Sequence, residues 1–243
     1  MNQRDTLLFV HVPKTAGTTL RHIVLRQYLG QEVFVISHDI QAERKRLRAL
    51  DEQSKRRLRA VYGHQCWGWH KDLAPGQPHA YITMLRDPVE RVLSLWAHAQ
   101  VIGHYLQPAV KKRDLAWFVT SGVSCTADNG MVRQLCGRDD FLQQPWKDMR
   151  IPHGQVTRAD LEQAKANLRA CAVVGVAEQF AEFVATMNKR YTWRAHSWTN
   201  ENITRWPRLQ ESNLDRRTRA VVEEATALDR ELYELALELG GQG

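Results

Sequence analysis

The segment Phe9–Leu20 places one lysine and several threonines where an apolar stretch of the chain stops, and its letters are FVHVPKTAGTTL. Residues 7–12 are mostly apolar and β-branched, which predicts a strand, and Pro13 and Gly17 break that pattern. A helical pattern then begins near Thr18, with apolar residues on one side. The predicted order is therefore a strand, a short loop and a helix.

This loop carries groups that bind an anion. The first N–H groups of a helix have no partner within the helix, and they lie at the positive end of its dipole. Lys14 adds a mobile charge, and Thr15, Thr18 and Thr19 add hydroxyl donors. The sequence therefore predicts a loop that holds a phosphate or a sulfate. It is not a Walker A loop, because Lys14 precedes the glycine and the leading glycine of that motif is missing.

A second segment with similar properties is Leu85–Trp96, whose letters are LRDPVERVLSLW. An apolar strand pattern ends just before Arg86. Pro88 then stands at the first turn of a predicted helix, where its missing N–H is not needed. The chain thus has two phosphate-type loops, separated by about one βαβ crossover.

Residues 13–19 resemble the 5′-phosphosulfate loop of sulfotransferases that use 3′-phosphoadenosine 5′-phosphosulfate (PAPS). The chain is most similar to the carbohydrate branch, the heparan sulfate 2-O-sulfotransferase-like family. The Arg-Asp-Pro-x-x-Arg-x-x-Ser pattern of the second segment resembles the 3′-phosphate segment of that family. The cofactor-binding residues that this resemblance implies are Lys14, Thr15, Ala16, Gly17, Thr18 and Thr19 in the first loop, Arg86 and Ser94 in the second segment, and Arg205 in a late basic loop.

Strand and helix patterns alternate along the chain, which indicates a mainly parallel sheet with helices on both faces. The resemblance implies a P-loop NTPase-like, three-layer α/β fold. We expect one domain over residues 1–243, in which 101–157 and 192–214 are lids or substrate-side insertions. The patterns predict strands at 6–12, 33–37, 60–63, 80–85 and 171–176, and helices at 17–29, 41–58, 88–100, 112–121, 127–136, 158–169, 178–191 and 215–239.

The resemblance also implies a reaction, the transfer of a sulfuryl group to a hydroxyl of a carbohydrate or glycoconjugate. Adenosine 3′,5′-bisphosphate (PAP) is then released. In such an in-line transfer, negative charge develops on the oxygen that bridges to the leaving phosphate, and donors fixed in advance must stabilise it. Lys14 and the N–H groups of residues 16–19 are the candidates. We expect no metal, because no Walker-type magnesium ligands accompany the loop.

The acceptor hydroxyl needs a base, and a histidine suits this role at neutral pH. His64 ends a predicted strand at the sheet edge where both loops lie. Heparan-type relatives have a His-Gly-His triplet at a similar strand end, and Tyr62 stands here in place of its first histidine. We predict that His64 is the base and that His11 braces the loop. His38 and His70 are weaker candidates for contact with the acceptor.

Four further residues have two interpretations each. Trp67 and Trp69 either stack on a sugar face or fill the core. Arg91 either contacts a phosphate or pairs with a nearby acid, Asp87 or Glu90. Arg133 either approaches the nucleotide or, as we favour, forms a salt bridge at the surface.

The net charge of +7 indicates anionic partners. Part of it matches a cofactor with several negative charges. The densest basic cluster, residues 44–59, has leucines at helical spacing, so it is either a solvated helix face or a polyanion-binding face. No zinc-finger, KH or RRM signature accompanies it, and we expect no nucleic-acid partner.

No apolar run is long enough to span a membrane. Because the first strand begins close to Met1, we also expect no signal peptide and a cytoplasmic location. Two other functional classes remain open. One is a non-catalytic module that binds PAP or a polyanion, and the other is a P-loop nucleoside-phosphate kinase, which requires magnesium and the missing Walker glycine.

Overall fold

A parallel sheet forms the centre of the fold in a computed structural model of the chain, which describes residues 5–37, 39–101, 103–138, 151–195, 197–198 and 211–240. The strands of the described part are β1 (Thr6–Val10), β2 (Val33–Val35), β3 (Ala60–Gly63), β4 (His79–Leu85) and β5 (Val173–Val176). Their order across the sheet is β2-β3-β1-β4-β5, and every neighbouring pair is parallel. β1 therefore lies in the middle, so the loop that follows it opens at the centre of the sheet edge.

Helices cover both faces of this sheet. They are α1 (Gly17–Gln27), α2 (Ile40–Ala49), α3 (Glu52–Arg57), α4 (Pro88–Ala99), α5 (Gln107–Val110), α6 (Leu115–Thr120), α7 (Gly130–Cys136), α8 (Arg158–Arg169), α9 (Phe180–Tyr191), α10 (Arg216–Ala225) and α11 (Ala227–Gly240). Leu8 and Val10 of β1 pack into a core with α2, α7, α8 and α11, whereas Leu7 and Phe9 pack into a second core with α1 and α9. Two cores on alternating side chains of one strand confirm the predicted α/β fold with helices on both sides of a parallel sheet.

Two predicted helices are each divided in the structure. The helix expected over 41–58 stops at Ala49, and α3 starts after Asp51, whose carboxylate accepts the N–H of Ser54 at 2.8 Å. Aspartate at this capping position satisfies an N–H group that a continuous helix would pair with its own backbone. The C-terminal helix expected over 215–239 is likewise divided at Thr226 into α10 and α11.

The basic cluster on α2 and α3 forms ion pairs within the chain. Arg44 and Arg48 both reach the carboxylate of Asp72, at 2.6 and 2.7 Å. Arg46 pairs with Glu43 at 2.6 Å, and its guanidinium lies 4.1 Å from the centre of the Phe34 ring. These pairs fit the interpretation of the cluster as a solvated helix face.

Arg91 is fully buried and pairs with Asp229 of α11, at 3.1 Å. The Asp229 carboxylate also accepts the N–H groups of Met131 and Val132 at the start of α7. Burial raises the pKa of Asp229, while the charge of Arg91 and these N–H donors oppose that rise. The prediction that Arg91 contacts a phosphate, or pairs with an acid of its own segment, is therefore wrong; the residue joins α4, α7 and α11.

Arg133 is also fully buried, which corrects the expectation of a surface salt bridge. Its guanidinium pairs with the Asp128 carboxylate and donates to the carbonyls of Ile151 and Pro152. An arginine has five N–H donors and no acceptor, so a buried one must find several oxygens. Arg133 finds them in the chain itself, and it acts as a structural residue.

We predict that Asp229→Ala strongly destabilises the fold. The change leaves the Arg91 charge buried without its carboxylate, and removing one partner of a buried pair typically costs about 3–5 kcal/mol. Urea denaturation of the purified variant measures this loss. Glu234→Ala, at an exposed position of the same helix, is the control and should stay within about 0.5 kcal/mol of the wild type. A loss below about 1 kcal/mol for Asp229→Ala would contradict the role of this pair.

Candidate active site

The loop between β1 and α1 has an unusual backbone. Lys14 and Ala16 adopt left-handed φ values of 70° and 61°, which residues with a side chain rarely do. Backbone strain of this kind concentrates at ligand-binding and catalytic sites. Ala16 also caps α1, and its methyl group offers no acceptor to the first N–H groups of the helix. These N–H groups therefore lie at a helix end that is not capped by a side chain, as an anion site requires.

Two hydrogen bonds and one close contact fix the shape of this loop. The hydroxyl of Thr15 donates to the carbonyl of Val12 at 2.8 Å, and that of Tyr62 donates to the carbonyl of Gly17 at 2.5 Å. A Cβ atom at position 17 would lie 1.6 Å from Nε2 of His11. Only glycine fits there, because the His11 ring packs directly against the start of α1. Tyr62, which stands at the position of the first histidine of the His-Gly-His triplet, thus stabilises the conformation of this loop.

Arg86 brings the second segment to the first. Its Nη1 donates to the carbonyl of Lys14 at 3.3 Å, so the loops after β1 and β4 are in direct contact. Its guanidinium also lies 3.2 Å from the Glu90 carboxylate and 4.0 Å from that of Glu178. Ser94 is buried on α4, two turns beyond the start of that helix.

His64 is oriented by the main chain just after β1. Its Nδ1 lies 2.8 Å from the carbonyl oxygen of His11. Because a carbonyl only accepts, Nδ1 must carry the hydrogen, and in the neutral ring the lone pair is then on Nε2. The rings of His64 and His11 stack with their centres 4.2 Å apart. Burial, together with the charges of His64 and Lys14, lowers the pKa of His11 well below its usual value, so His11 stays neutral.

Gln134 of α7 is a site residue that sequence reasoning missed. Its Nε2 donates to the carbonyls of His11 and Gln65, both at 2.9 Å. These two carbonyls flank His64, one as its hydrogen-bond acceptor and one as the next residue in the chain. Within the described residues, the Oε1 atom of Gln134 is buried with no hydrogen-bond partner, which is costly. The sequence does place Gln134 beside the apolar residues Val132 and Leu135 in a predicted helix. A polar residue at such a position was the only sequence feature that could have indicated its role.

Other predicted positions are structural or lie outside the described residues. Trp69 is buried and fills the core, which was one of the two roles considered for it. Trp67 stacks on Tyr81, with ring centres 3.7 Å apart. Nδ1 of His70 lies 2.8 Å from the Tyr81 hydroxyl. His38 and Arg205 belong to the residues that the structure does not describe.

Among the residues that the structure describes, no group of three or more histidine, cysteine, aspartate or glutamate side chains is arranged to hold a metal ion. Over the same part of the chain, no helix has the length and apolar character needed to cross a membrane.

A family model described as "Sulfotransferase family" matches residues 1–235, nearly the entire sequence. The chain belongs to the sulfotransferase family. Membership of this family agrees with the parallel sheet and with the phosphate-type loop that follows its central strand, β1.

Several curated relatives of this sulfotransferase are heparan-sulfate 6-O-sulfotransferases. Heparan-sulfate 6-O-sulfotransferase 2 of Gallus gallus is 27% identical over 97% of this chain and 66% of its own length. Heparan-sulfate 6-O-sulfotransferase 1 of Homo sapiens is 27% identical over 98% of this chain and 66% of its own length. Heparan-sulfate 6-O-sulfotransferase 3 of Homo sapiens is 28% identical, and the match covers 97% of this chain and 57% of that protein. The chain thus spans just under two thirds of the length of the relatives that it matches first.

The orientation of His64 predicts its tautomer. Proton–nitrogen correlation spectra of the labelled imidazoles, recorded at a pH where the ring is neutral, should show hydrogen on Nδ1 and a bare Nε2. The physical reason is the His11 carbonyl, which accepts only from a protonated Nδ1. His79, at the start of β4, is a reference ring in the same spectra. A neutral His64 with its hydrogen on Nε2 would contradict the arrangement.

Proposed function

We propose that this sulfotransferase moves the sulfuryl group of PAPS to a hydroxyl of a carbohydrate or glycoconjugate and releases PAP. The observation that carries the proposal is the contact between Arg86 and the Lys14 carbonyl. This contact joins the two phosphate-type loops, which follow β1 and β4, at one edge of the sheet. A donor with phosphate groups at both its 5′ and 3′ positions needs two such loops side by side. The family match and the names of the heparan-sulfate relatives support the same chemistry.

The residues present fit such a donor. Around the 5′ end, Lys14 and the first N–H groups of α1 would hold the phosphosulfate, together with Thr15, Gly17, Thr18 and Thr19. Ala16 leaves this helix end without a side-chain cap. The Thr15 hydroxyl is engaged with Val12, so its contribution would come from the main chain.

At the 3′ end, Arg86 and Ser94 would hold the phosphate, and Arg205 is proposed as a further contact. Arg86 has Glu90 and Glu178 beside it, which hold its guanidinium at the edge of the sheet. An arginine fork is suited to phosphate because it offers several N–H groups in one plane.

In the reaction, PAPS supplies an activated sulfuryl group. The bond from the acceptor oxygen to sulfur forms, and the bond from sulfur to the phosphate oxygen breaks. Lys14 and the α1 N–H groups would stabilise the negative charge on that phosphate oxygen; removal of one such donor typically costs about 3–4 kcal/mol. His64 would take the proton of the acceptor hydroxyl on Nε2, since Nδ1 is held by the His11 carbonyl.

The acceptor class follows from the relatives. Their names give heparan sulfate as what those proteins act on, and we extend to this chain the broader class, a carbohydrate hydroxyl. A metal-independent reaction and a cytoplasmic location remain predictions made from the sequence.

The test of the proposal is the replacement of His64. His64→Ala should lower the rate of sulfuryl transfer from radiolabelled PAPS by about two to four orders of magnitude, because general-base catalysis contributes that much. PAP should bind to the variant as it does to the wild type, since His64 is not among the donor-binding residues. His79→Ala, at the opposite end of the sheet, is the matched control and should leave both quantities unchanged.

Two results would contradict the proposal. Unchanged transfer by His64→Ala would remove His64 as the base. A wild-type chain that binds PAP but transfers nothing to any hydroxyl acceptor would instead support the non-catalytic binding module.

A further inference from the structure

Gln134 contacts the chain on both sides of the proposed base. Its Nε2 donates to the carbonyl of His11 and to the carbonyl of Gln65, both at 2.9 Å. Its own main-chain carbonyl accepts the N–H of Trp67 at 3.1 Å. His64 lies between these contacts, because its Nδ1 is 2.8 Å from the His11 oxygen and Gln65 follows it directly. We call Gln134 together with the carbonyls of His11 and Gln65 the glutamine clamp.

The His11 carbonyl lies where the sheet no longer holds the chain. The N–H of His11 donates to the carbonyl of Gly63 at 3.0 Å, but its own carbonyl lies beyond Val10, the last residue of β1. The hydrogen bonds from His64 and Gln134 come from side chains of two other segments. His64 alone would not fix this oxygen, since a ring is not oriented by an acceptor that moves with it. Gln134 supplies the second, independent attachment.

The helix that carries Gln134 is itself firmly attached. The Asp229 carboxylate accepts the N–H groups of Met131 and Val132 in the first turn of α7, the latter at 2.9 Å. From α8, the side chain of Asn167 donates to the carbonyl of Leu135 at 2.7 Å. These contacts do not involve the loop after β1. The clamp therefore refers the position of the His11 carbonyl to a part of the core outside that loop.

Only an amide of this length serves both carbonyls. The two hydrogens of the Gln134 Nε2 match two acceptors, whereas an ionised carboxylate has no donor. Gln134 is fully buried, and within the described part of the chain its Oε1 has no hydrogen-bond partner, which costs free energy. A methionine or leucine would fill a similar volume without that cost. Packing alone therefore does not explain a glutamine here, but the two donated hydrogen bonds do.

We propose that Gln134 is a positioning residue for sulfuryl transfer: by fixing the His11 carbonyl, it holds the His64 imidazole with Nε2 directed to the acceptor hydroxyl. This inference rests on the proposed function, in which Nε2 of His64 takes the acceptor proton while the oxygen–sulfur bond forms. A misplacement of about 1 Å of a reacting group can lower a rate by about a hundredfold. Loss of the clamp should therefore slow turnover without removing the base.

Gln134→Met tests the clamp, since it removes both donors and keeps the volume. Turnover with radiolabelled PAPS should fall about ten- to a hundredfold, while the KM for PAPS stays within about twofold. In nitrogen-correlated spectra, neutral His64 should populate both tautomers instead of the Nδ1–H form alone. Gln134→Leu is the second variant and should give the same losses. The melting temperature of Gln134→Met should stay within about 2–4 °C of the wild type, because the unpartnered Oε1 is removed as well.

Gln77 provides a matched control at the opposite end of the sheet. It is also buried, and its Nε2 donates to the Thr6 hydroxyl at 2.8 Å and to the Lys55 carbonyl at 2.7 Å. Its Oε1 accepts the N–H of Ala74 at 3.1 Å. Gln77→Met should therefore lower the melting temperature by more than Gln134→Met does. Its turnover, measured per folded protein, and its His64 tautomer should match the wild type.

A double-mutant cycle separates positioning of His64 from a general structural role. In the His64→Ala background, Gln134→Met should change the remaining turnover by less than about twofold, because the group that it positions is gone. The same fold-loss in both backgrounds would overturn the proposal. So would an unchanged His64 tautomer in Gln134→Met, or a parallel loss of PAP affinity, which would assign Gln134 to the donor loop. Transfer by His64→Ala at the wild-type rate would instead contradict the proposed base, and the tautomer would still test the clamp.

Discussion

The main-chain carbonyl of His11 is the point on which the site depends. It lies just after β1, the central strand, and it accepts hydrogen bonds from Nδ1 of His64 and Nε2 of Gln134. One oxygen therefore links the loop after β1, the proposed base just beyond the end of β3, and α7. A carbonyl with two lone pairs can serve two donors at once. Any shift of this peptide group would move both the loop and the base.

Close packing beneath the loop restricts which residues can stand there. The His11 ring occupies the space of a Cβ at Gly17, and the Tyr62 hydroxyl binds the Gly17 carbonyl. Arg86 holds the Lys14 carbonyl from the other neighbouring strand. The loop is thus fixed from both sides of β1, which is the preorganisation that electrostatic stabilisation of a transition state needs.

Local patterns in the sequence were enough to predict a mainly parallel sheet covered by helices, the succession of its five strands along the chain, and the loops that follow β1 and β4. Contacts between distant parts of the chain were not predictable in this way. Arg91 finds Asp229, 138 residues later, and Gln134 reaches His11, 123 residues earlier. Such partners depend on tertiary packing, which the periodicity of apolar residues along the sequence does not predict. The predicted helices are divided at Asp51 and Thr226 by local capping. The apolar spacing continued across both positions, so the prediction joined each pair of helices into one.

The central claim is that two adjacent loops bind a nucleotide with phosphate groups at both ends. Calorimetric titration with PAP and with 5′-AMP, each with and without magnesium, tests it most directly. The account predicts binding of PAP that does not need the metal and that is lost when the 3′-phosphate is absent, because Arg86 and Ser94 then have no ligand. Equal affinity for PAP and 5′-AMP, or binding that requires magnesium, would contradict it.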